Sequence, residues 1–262
     1  QAIQSAYDQV LSLNSTFYTQ NWTLDANTWN TLRDGINSVS VKAWDGAANK
    51  SNGGVFTDVF YVKKDTTAPS IPALLTPPDN SVTGINAPFF DWTDSNDAAS
   101  GVANYEAAVS TDINFAVNSF TDSPSLSQST STALSSGLYY WRSRAKDTAS
   151  NYSSWTATRS VTVDTIPPVI DNKVAGDYTW RNGSGTVYDI DFYDSLSKLA
   201  TVYYNVYSST GQTGTQLVPL TPVNSLLISA TYFVTDWTLA PADFNLLQNG
   251  TNYVSIEAHD LA

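Results

Sequence analysis

The chain of 262 residues contains no cysteine and no methionine, and it has a single histidine. Without cysteine there is no disulfide framework, no thiolate nucleophile and no cysteine-based zinc or iron–sulfur site. Charged residues make up only 14% of the sequence, and no apolar run reaches the length of a membrane-spanning helix. These absences exclude several enzyme classes and predict no membrane insertion in this segment.

Positive charge is also scarce, because 12 lysines and arginines stand against 24 aspartates and glutamates, for a formal net charge of −12. A protein of this charge repels a phosphate backbone, so nucleic acid is not an expected partner, whereas cations are. Methionine, which oxidises readily outside cells, is absent. We therefore expect an extracellular or cell-surface location.

What the sequence does contain is typical of an all-β protein. Aromatic residues reach 13%, and polar stretches of Ser, Thr, Asn and Gly separate short runs rich in Val, Tyr and Trp. Residues of alternating polarity predict strands around 102–109 and 139–145, with further strands at 88–92 and 155–163. Only 241–247 has the features of a helical turn, with a proline near its start and an early acid.

The chain repeats itself at a shift of 215 positions, since Asn21 falls on Asp236 (236 − 21 = 215). Without a gap, residues 21–47 then share 12 identities with 236–262, including a Trp-Thr-Leu run. Residues 137–151 copy the spacing of the same region more loosely. Three modules therefore share one type of ending.

Two joints divide these modules. Asp65-Thr66-Thr67-Ala68-Pro69 and Asp164-Thr165-Ile166-Pro167-Pro168 lie 164 − 65 = 99 positions apart, and their prolines favour a short, stiff, extended connection. We predict the end of one module at 1–64, a complete module of a second type at 65–163, and a module of the first type without its last strand at 164–262. The chain is then expected to be a window on a longer array.

At these residues the chain resembles the fibronectin type III-like and bacterial immunoglobulin-like repeats of large secreted and surface proteins. The resemblance rests on the Asp-Thr-Thr-Ala-Pro joint, on Phe90-Asp91-Trp92 followed by Ser100-Gly101-Val102, and on Tyr139-Tyr140-Trp141-Arg142. It implies tandem antiparallel β-sandwich modules. Such modules serve as spacers, adhesin stalks, carbohydrate binders or non-catalytic parts of enzymes.

The Asp and Asn residues near strand ends and joints are the candidate metal ligands. Similar repeats in long adhesins bind Ca²⁺ near such joints, and Ca²⁺ takes several carboxylate and carbonyl oxygens. We expect each joint aspartate to meet the strand-end loop of the preceding module. The alternative is that these residues form turns that bond only their own backbone. The candidate calcium ligands are Asp45, Asn49, Asp65, Asp147, Asn151 and Asp164.

No catalytic set emerges from the remaining residues. Asp189 and Asp191 share a strand face, as paired glycosidase carboxylates do, but a solvated strand face explains them equally well. His259, the sole histidine, aligns with Trp44 and is interpreted as a packing or surface residue. The tryptophans are expected in cores, with a sugar-binding platform as the alternative for Trp155 and others. The chain is therefore not expected to be an enzyme.

The leading functional hypothesis is a structural or adhesive stalk or filament region that spaces or assembles modules at a cell surface. The alternative is a set of accessory or carbohydrate-binding modules of a secreted polysaccharide-active enzyme. Expected partners are neighbouring modules of the same chain, further copies of the chain through self-assembly, or a surface glycan or protein.

Overall fold

Strands make up nearly all of the regular secondary structure among the residues that the structure describes. A computed structural model describes residues 23–43, 54–174, 179–223 and 229–262. Among these residues, every pairing between strands lies within 35–64, 74–163 or 169–260, and we call the corresponding regions 1–64, 65–163 and 164–262 the first, middle and last modules. Both helices in the described ranges are shorter than two turns, so neither is long enough to span a membrane.

The first module contributes one helix and one antiparallel hairpin, in which Gly35 lies opposite Lys64 and Ala43 opposite Gly54. The helix was not predicted from the sequence. It begins after Asp25 because the carboxylate of this residue accepts the backbone N–H groups of Asn27 and Thr28. The elements are α1 (Ala26–Thr31), β1 (Gly35–Ala43) and β2 (Gly54–Lys64).

The middle module is a sandwich of a three-stranded and a five-stranded sheet, in the orders β3-β5-β8 and β4-β10-β9-β6-β7. Its strands are β3 (Leu74–Thr76), β4 (Ser81–Thr83), β5 (Phe89–Trp92), β6 (Val102–Ser110), β7 (Phe120–Asp122), β8 (Gln128–Thr130), β9 (Gly137–Asp147) and β10 (Arg159–Val163). The pairing of β4 with β10 is parallel, which departs from the predicted all-antiparallel arrangement. The chain leaves the first sheet after β3 and crosses to the edge beside β10.

Alternation along β9 supplies the centre of the middle core. Trp141, Ser143 and Ala145 are buried, whereas the residues between them face outward, as the sequence pattern predicted. The Trp141 ring lies 4.9 Å from that of Phe90, and Trp92 meets Tyr105 edge-on at 5.8 Å. The predicted core role of Trp92 and Trp141 is thereby confirmed.

The last module contains two three-stranded sheets, in the orders β11-β12-β15 and β14-β13-β16. Its elements are β11 (Val169–Asn172), β12 (Ile190–Tyr193), β13 (Leu199–Ser209), β14 (Thr213–Pro222), β15 (Tyr232–Phe233), α2 (Pro241–Phe244) and β16 (Tyr253–Asp260). The helical turn predicted at 241–247 is present but shorter. Trp237 is buried and stacks on Tyr204 at 5.2 Å, which confirms its predicted core role.

The structure reproduces the 215-residue repeat in detail. Helices α1 and α2 begin at equivalent positions, since 241 − 26 = 215. The Asn37 side-chain amide donates to the carbonyls of residues 33 and 35, and the Asn252 amide donates to those of residues 248 and 250. Gly35 and Gly250 both have a positive φ, at 105° and 112°, which glycine adopts without strain. The identities therefore encode one shared local structure.

Two expectations about individual side chains need correction. The repeat predicts that Val39, Val41 and Ala43, and likewise Val254, Ile256 and Ala258, face the core as Trp141, Ser143 and Ala145 do in β9. In β1 the pairing is irregular between Val39 and Val41, and Val41 is 37% exposed, so the prediction is wrong for Val41. Trp155 lies outside the core, half-buried on the outer face of the middle module. In β16, Val254, Ile256 and Ala258 do pack against the core as predicted. Trp22 lies outside the described residues.

Phe89 and Phe90 provide a matched test of the middle core, because Phe90 is fully buried and Phe89 is 45% exposed. We expect Phe90→Ala to lower the free energy of unfolding of the middle module by about 3–5 kcal/mol, since it removes a buried ring and leaves a cavity. Phe89→Ala is the control and should cost well under half as much. Urea denaturation followed by circular dichroism measures both, and equal losses would contradict the assigned faces.

Candidate cation sites at the module joints

Three carboxylates converge at the joint between the first and middle modules. Asp65 follows β2, Asp97 lies in the loop between β5 and β6, and Asp147 ends β9. One oxygen from each lies within 4.8 Å of the others. Asp147 is only 1% exposed, and no ion pair among the described residues joins these acids to a basic side chain. We call this group the first acid cluster.

The second joint carries an equivalent group. Asp164 follows β10, Asp194 lies in the loop between β12 and β13, and Asp260 ends β16. Their oxygens also meet within 4.8 Å, and Asp164 and Asp194 are 2% and 5% exposed. We call this group the second acid cluster. Although the two modules differ in type, each places one linker acid, one loop acid and one strand-end acid together.

The loop acids are held by the same turn. Asp97 Oδ1 accepts the N–H groups of residues 99, 100 and 101, and Asp194 Oδ1 accepts those of residues 196, 197 and 198. The fourth residue of each loop after the aspartate, Gly101 or Lys198, has a positive φ of 77° or 72°. Each loop carboxylate is therefore fixed in position by the backbone before any ion binds.

The linker acids differ in one informative respect. Asp65 Oδ1 accepts the N–H of Thr67, and Asp164 Oδ1 accepts that of Ile166, both at 3.0 Å. Asp164 Oδ2 accepts a further N–H from Ser197 at 3.0 Å, but Asp65 Oδ2 is buried without a hydrogen-bond partner. A buried carboxylate oxygen without a donor is costly, and a cation beside it would remove that cost. The first acid cluster thus fits a bound cation.

Asn151 connects the strand end to the linker. Its side-chain amide donates to Asp147 Oδ2 at 2.8 Å, and the backbone carbonyls of Asp65 and Thr67 lie 3.2 and 3.4 Å away. Carboxylate and carbonyl oxygens are the ligands that Ca²⁺ prefers. These hydrogen bonds make the predicted ligands Asp65, Asp147 and Asn151 neighbours.

The partners of the joint aspartates differ from the sequence prediction. Asp147 was expected to reach Asp164, but Val163 pairs with Gly137 at the opposite end of β9, ten residues and about 33 Å from Asp147. The same hairpin geometry places the end of β1 beside Gly54 and away from Asp65. Antiparallel direction therefore assigns each linker acid to the following module. Asp45 and Asn49 lie outside the described residues.

The preceding module holds the joint through a different residue. Asp34, just before β1, accepts hydrogen bonds from the backbone and hydroxyl of Thr66 and the hydroxyl of Thr67. The hydrogen bond from Thr67, followed by those from Thr66, lowers the pKa of Asp34, although burial opposes the shift. At the second joint Ser136, just before β9, bonds Thr165 in the same way. Each linker is thus hydrogen-bonded both to the module before it and to the module after it.

The sequence alone assigns Asp97 and Asp194 to two acidic stretches, 94–97 and 189–194, and not to the joints. The local signal is that each acid opens a turn that leads directly into a long strand, β6 or β13. Nothing in the sequence showed that these turns meet the linkers. Asp260 is the equivalent of Asp147, because each is the last residue of its strand, β16 or β9.

The other candidates form no site. Asp191 pairs with Lys173, whose pKa the hydrogen bond raises, and Asp189 is exposed. His259 bonds Glu257 and contacts the Tyr203 ring on an exposed strand face. These contacts match the surface roles expected from the sequence.

Among known proteins, the matches to this chain are solved structures of low identity. No protein-family model matches the chain, and no curated protein matches it significantly. The fibronectin(III)-like modules of Clostridium thermocellum CbhA share 13% identity and a TM-score of 0.36 over 72% of this chain and 85% of theirs. Carbohydrate-binding modules of the β-sandwich superfamily share 13% identity, with a TM-score of 0.31 over 75% of this chain and 98% of theirs.

A tetra-tandem repeat from the extending region of a large adhesion protein is 16% identical, with a TM-score of 0.29 over 88% of this chain and 57% of that one. The middle and last modules, each with two facing sheets, are β-sandwich repeats similar to fibronectin type III-like and immunoglobulin-like domains. The predicted all-β fold class is confirmed.

Asp97 makes the joint sensitive to acid. Burial raises its pKa, but the hydrogen bonds from the N–H groups of Gly101, Ser100 and Ala99 outweigh this and lower the pKa. Its ionised form therefore stabilises the fold above the unfolded pKa of about 3.9, and this contribution is lost as pH falls through the folded value. In chelator, Asp97→Ala should lower the urea midpoint clearly at pH 7 and much less at pH 2.5. Exposed Asp171→Ala is the control, and a pH-independent effect of Asp97→Ala would contradict this assignment.

Proposed function

We propose that this chain is a structural or adhesive stalk region of a large extracellular repeat protein, in which bound Ca²⁺ holds successive modules in line at their joints. The observation that carries the proposal is the recurrence of one acid cluster at both joints. Two modules of different type would not need the same three-acid geometry for their separate cores.

The chemistry of the clusters supports a hard divalent cation. Each offers three carboxylates without a basic partner among the described residues, and the first adds an oxygen that no donor satisfies. Three neighbouring negative charges repel one another, whereas Ca²⁺ binds such oxygens at about 2.3–2.6 Å. Asp65, Asp97 and Asp147 would hold one ion, and Asp164, Asp194 and Asp260 a second.

The position of the clusters gives the ion a mechanical effect. A linker aspartate belongs to the connection, while the other two acids belong to the module that follows. An ion bound to all three would fix the linker against that module, and Asp34 or Ser136 already ties it to the module before. Each joint would then transmit bending forces through ligand bonds on one side and hydrogen bonds on the other.

An extracellular setting suits this role, because a joint of modest affinity stays filled where free calcium is in the millimolar range. Neighbouring modules of the same chain are the partners that the joints require. The second candidate function, an accessory carbohydrate-binding region of a secreted enzyme, is favoured by a separate row of side chains on the middle module, which is described below.

Calcium should raise the melting temperature of the chain. At a free concentration 100 times the dissociation constant, binding adds ~2.7 kcal/mol to the stability of a single site. For a module of this size that corresponds to a rise of roughly 10–20 °C over the same sample in chelator. Scanning calorimetry with calcium and with chelator measures the shift, and an unchanged melting temperature would overturn the proposal.

Single variants assign the ions to their joints. Asp65→Asn and Asp164→Asn keep the shape of the side chain but remove its charge, so each should abolish one calcium ion in equilibrium dialysis. Asp171→Asn removes an exposed charge away from both clusters and should leave the ion count unchanged. Small-angle X-ray scattering should show a longer maximum dimension with calcium than with chelator. Loss of ions from the control variant as well would indicate non-specific binding.

A further inference from the structure

The outer face of the middle module carries a row of alternating cations and aromatic rings. Strand β9 points Arg142, Arg144 and Lys146 outward, because its alternate residues fill the core. The rings of Phe115, Trp155 and Tyr152 lie between and beside them, so the order along the row is Phe115, Arg142, Trp155, Arg144, Tyr152, Lys146. We call this row the cation–aromatic ladder.

The local sequence explains why two of the rings face outward three residues apart. The 152–156 segment runs beside β9, where the Ser153 hydroxyl accepts the N–H of Ala145 and the Thr156 hydroxyl accepts that of Ser143. At these two positions, hydroxyls accept the β9 N–H groups in place of the backbone carbonyls of a neighbouring strand. The segment is therefore not a regular strand, and Tyr152 and Trp155 reach the same face.

Arg142 is clamped on both faces of its guanidinium. Its Cζ lies 3.9 Å from the centre of the Phe115 ring and 4.4 Å from that of Trp155. Phe115 has a φ of 58°, an unfavourable conformation for a bulky residue, and its turn is held by Asp112, which accepts the N–H of Ala116. The backbone thus bears strain in the turn that sets the ring over Arg142.

The hydrogen-bonding groups of Arg142 are not used within the described chain. Arg144 donates to Glu106 at 2.7 and 2.6 Å, and Arg159 donates to the Leu75 carbonyl at 2.9 Å. Arg142 makes no such bond, and its Nε is buried without an acceptor. Burial, followed by the nearby Arg144, lowers its pKa, which is the effect expected for a cation that lacks a counter-ion.

The face is also locally positive in an acidic protein. Three cations lie along the row, Arg142, Arg144 and Lys146, and the one acid paired with them is Glu106, which binds Arg144. The chain as a whole carries a net charge of −12. A guanidinium fixed between two rings presents a planar fork that matches a carboxylate in two parallel hydrogen bonds. Because its rotamer is already ordered, binding costs less side-chain entropy.

We propose that the cation–aromatic ladder is a binding surface for an acidic polysaccharide, with the Arg142 fork holding a carboxylate of a uronic acid unit. Arg144 and Lys146 lie at further steps of about 6.8 Å along the strand and attract additional carboxylates. The half-buried Trp155 and the 37% exposed Tyr152 add partly exposed aromatic surface for contact with the sugars. This inference does not depend on calcium at the joints, which lie at the ends of the module.

Binding of polygalacturonate, measured by isothermal titration calorimetry against neutral dextran, tests the proposal on the full chain. We expect the wild type to bind polygalacturonate and not dextran. Arg142→Lys keeps the charge but lacks the fork, so it should weaken binding at least tenfold, with Arg142→Ala as weak or weaker. Exposed Arg33→Ala removes the same charge elsewhere and should retain wild-type affinity.

Folding and self-association are checked separately. A melting temperature of Arg142→Lys close to that of the wild type shows that the module remains folded. The Nε–H resonance of Arg142 should shift during titration with galacturonate, which a purely structural arginine would not show. Absence of binding, or equal losses in Arg33→Ala and Arg142→Lys, would overturn the proposal. Dimers of the wild type in sedimentation that are absent in Arg142→Ala would also overturn it, since the fork would then hold an acid of a second copy.

Discussion

The direction of antiparallel pairing is the constraint on which the joints depend. In an antiparallel pair, the end of one strand lies beside the start of the other. The last strand of a module therefore ends beside the first residue of the strand with which it pairs, as β2 does with β1 and β10 with β9. Asp34 and Ser136 occupy that start and bond the outgoing linker. The strand-end acids lie at the far end, where they meet the incoming linker instead. The middle and last modules therefore each carry an acid cluster at their entrance.

Strand β9 shows how one segment serves three purposes through its period of two and its direction. Its inward residues, among them Trp141, fill the core; its outward residues form the cation–aromatic ladder; and its last residue, Asp147, reaches the entrance of the module. The core fixes the strand, and the fixed strand sets both the spacing of the cations and the position of the acid. A change in core packing would therefore shift both the cation–aromatic ladder and the first acid cluster.

Charge is distributed unevenly for the same structural reason. Acids gather at the joints, where backbone N–H groups of the 97–101 and 194–198 turns can hold them, and cations gather on one sheet face, where aromatic rings can cover them. Among the described residues no ion pair joins the two groups, so they do not neutralise one another. Each keeps the capacity to attract an external partner of opposite charge.

The sequence by itself determined the all-β class, the repeat and the buried faces, because polarity with a period of two and shared Asn and Gly positions are local signals. Asn37 and Asn252 make the same bonds because each follows by two residues a glycine with a positive φ, Gly35 or Gly250. The sequence did not predict helix α1, because its six residues show no clear helical pattern of polarity. Its start depends on the hydrogen bonds that the Asp25 carboxylate accepts. Tertiary structure alone decided that Asp97 meets Asp65 and that Phe115 covers Arg142. Both contacts join segments that are distant along the chain, and only the pairing of strands and the packing of sheets bring such segments together.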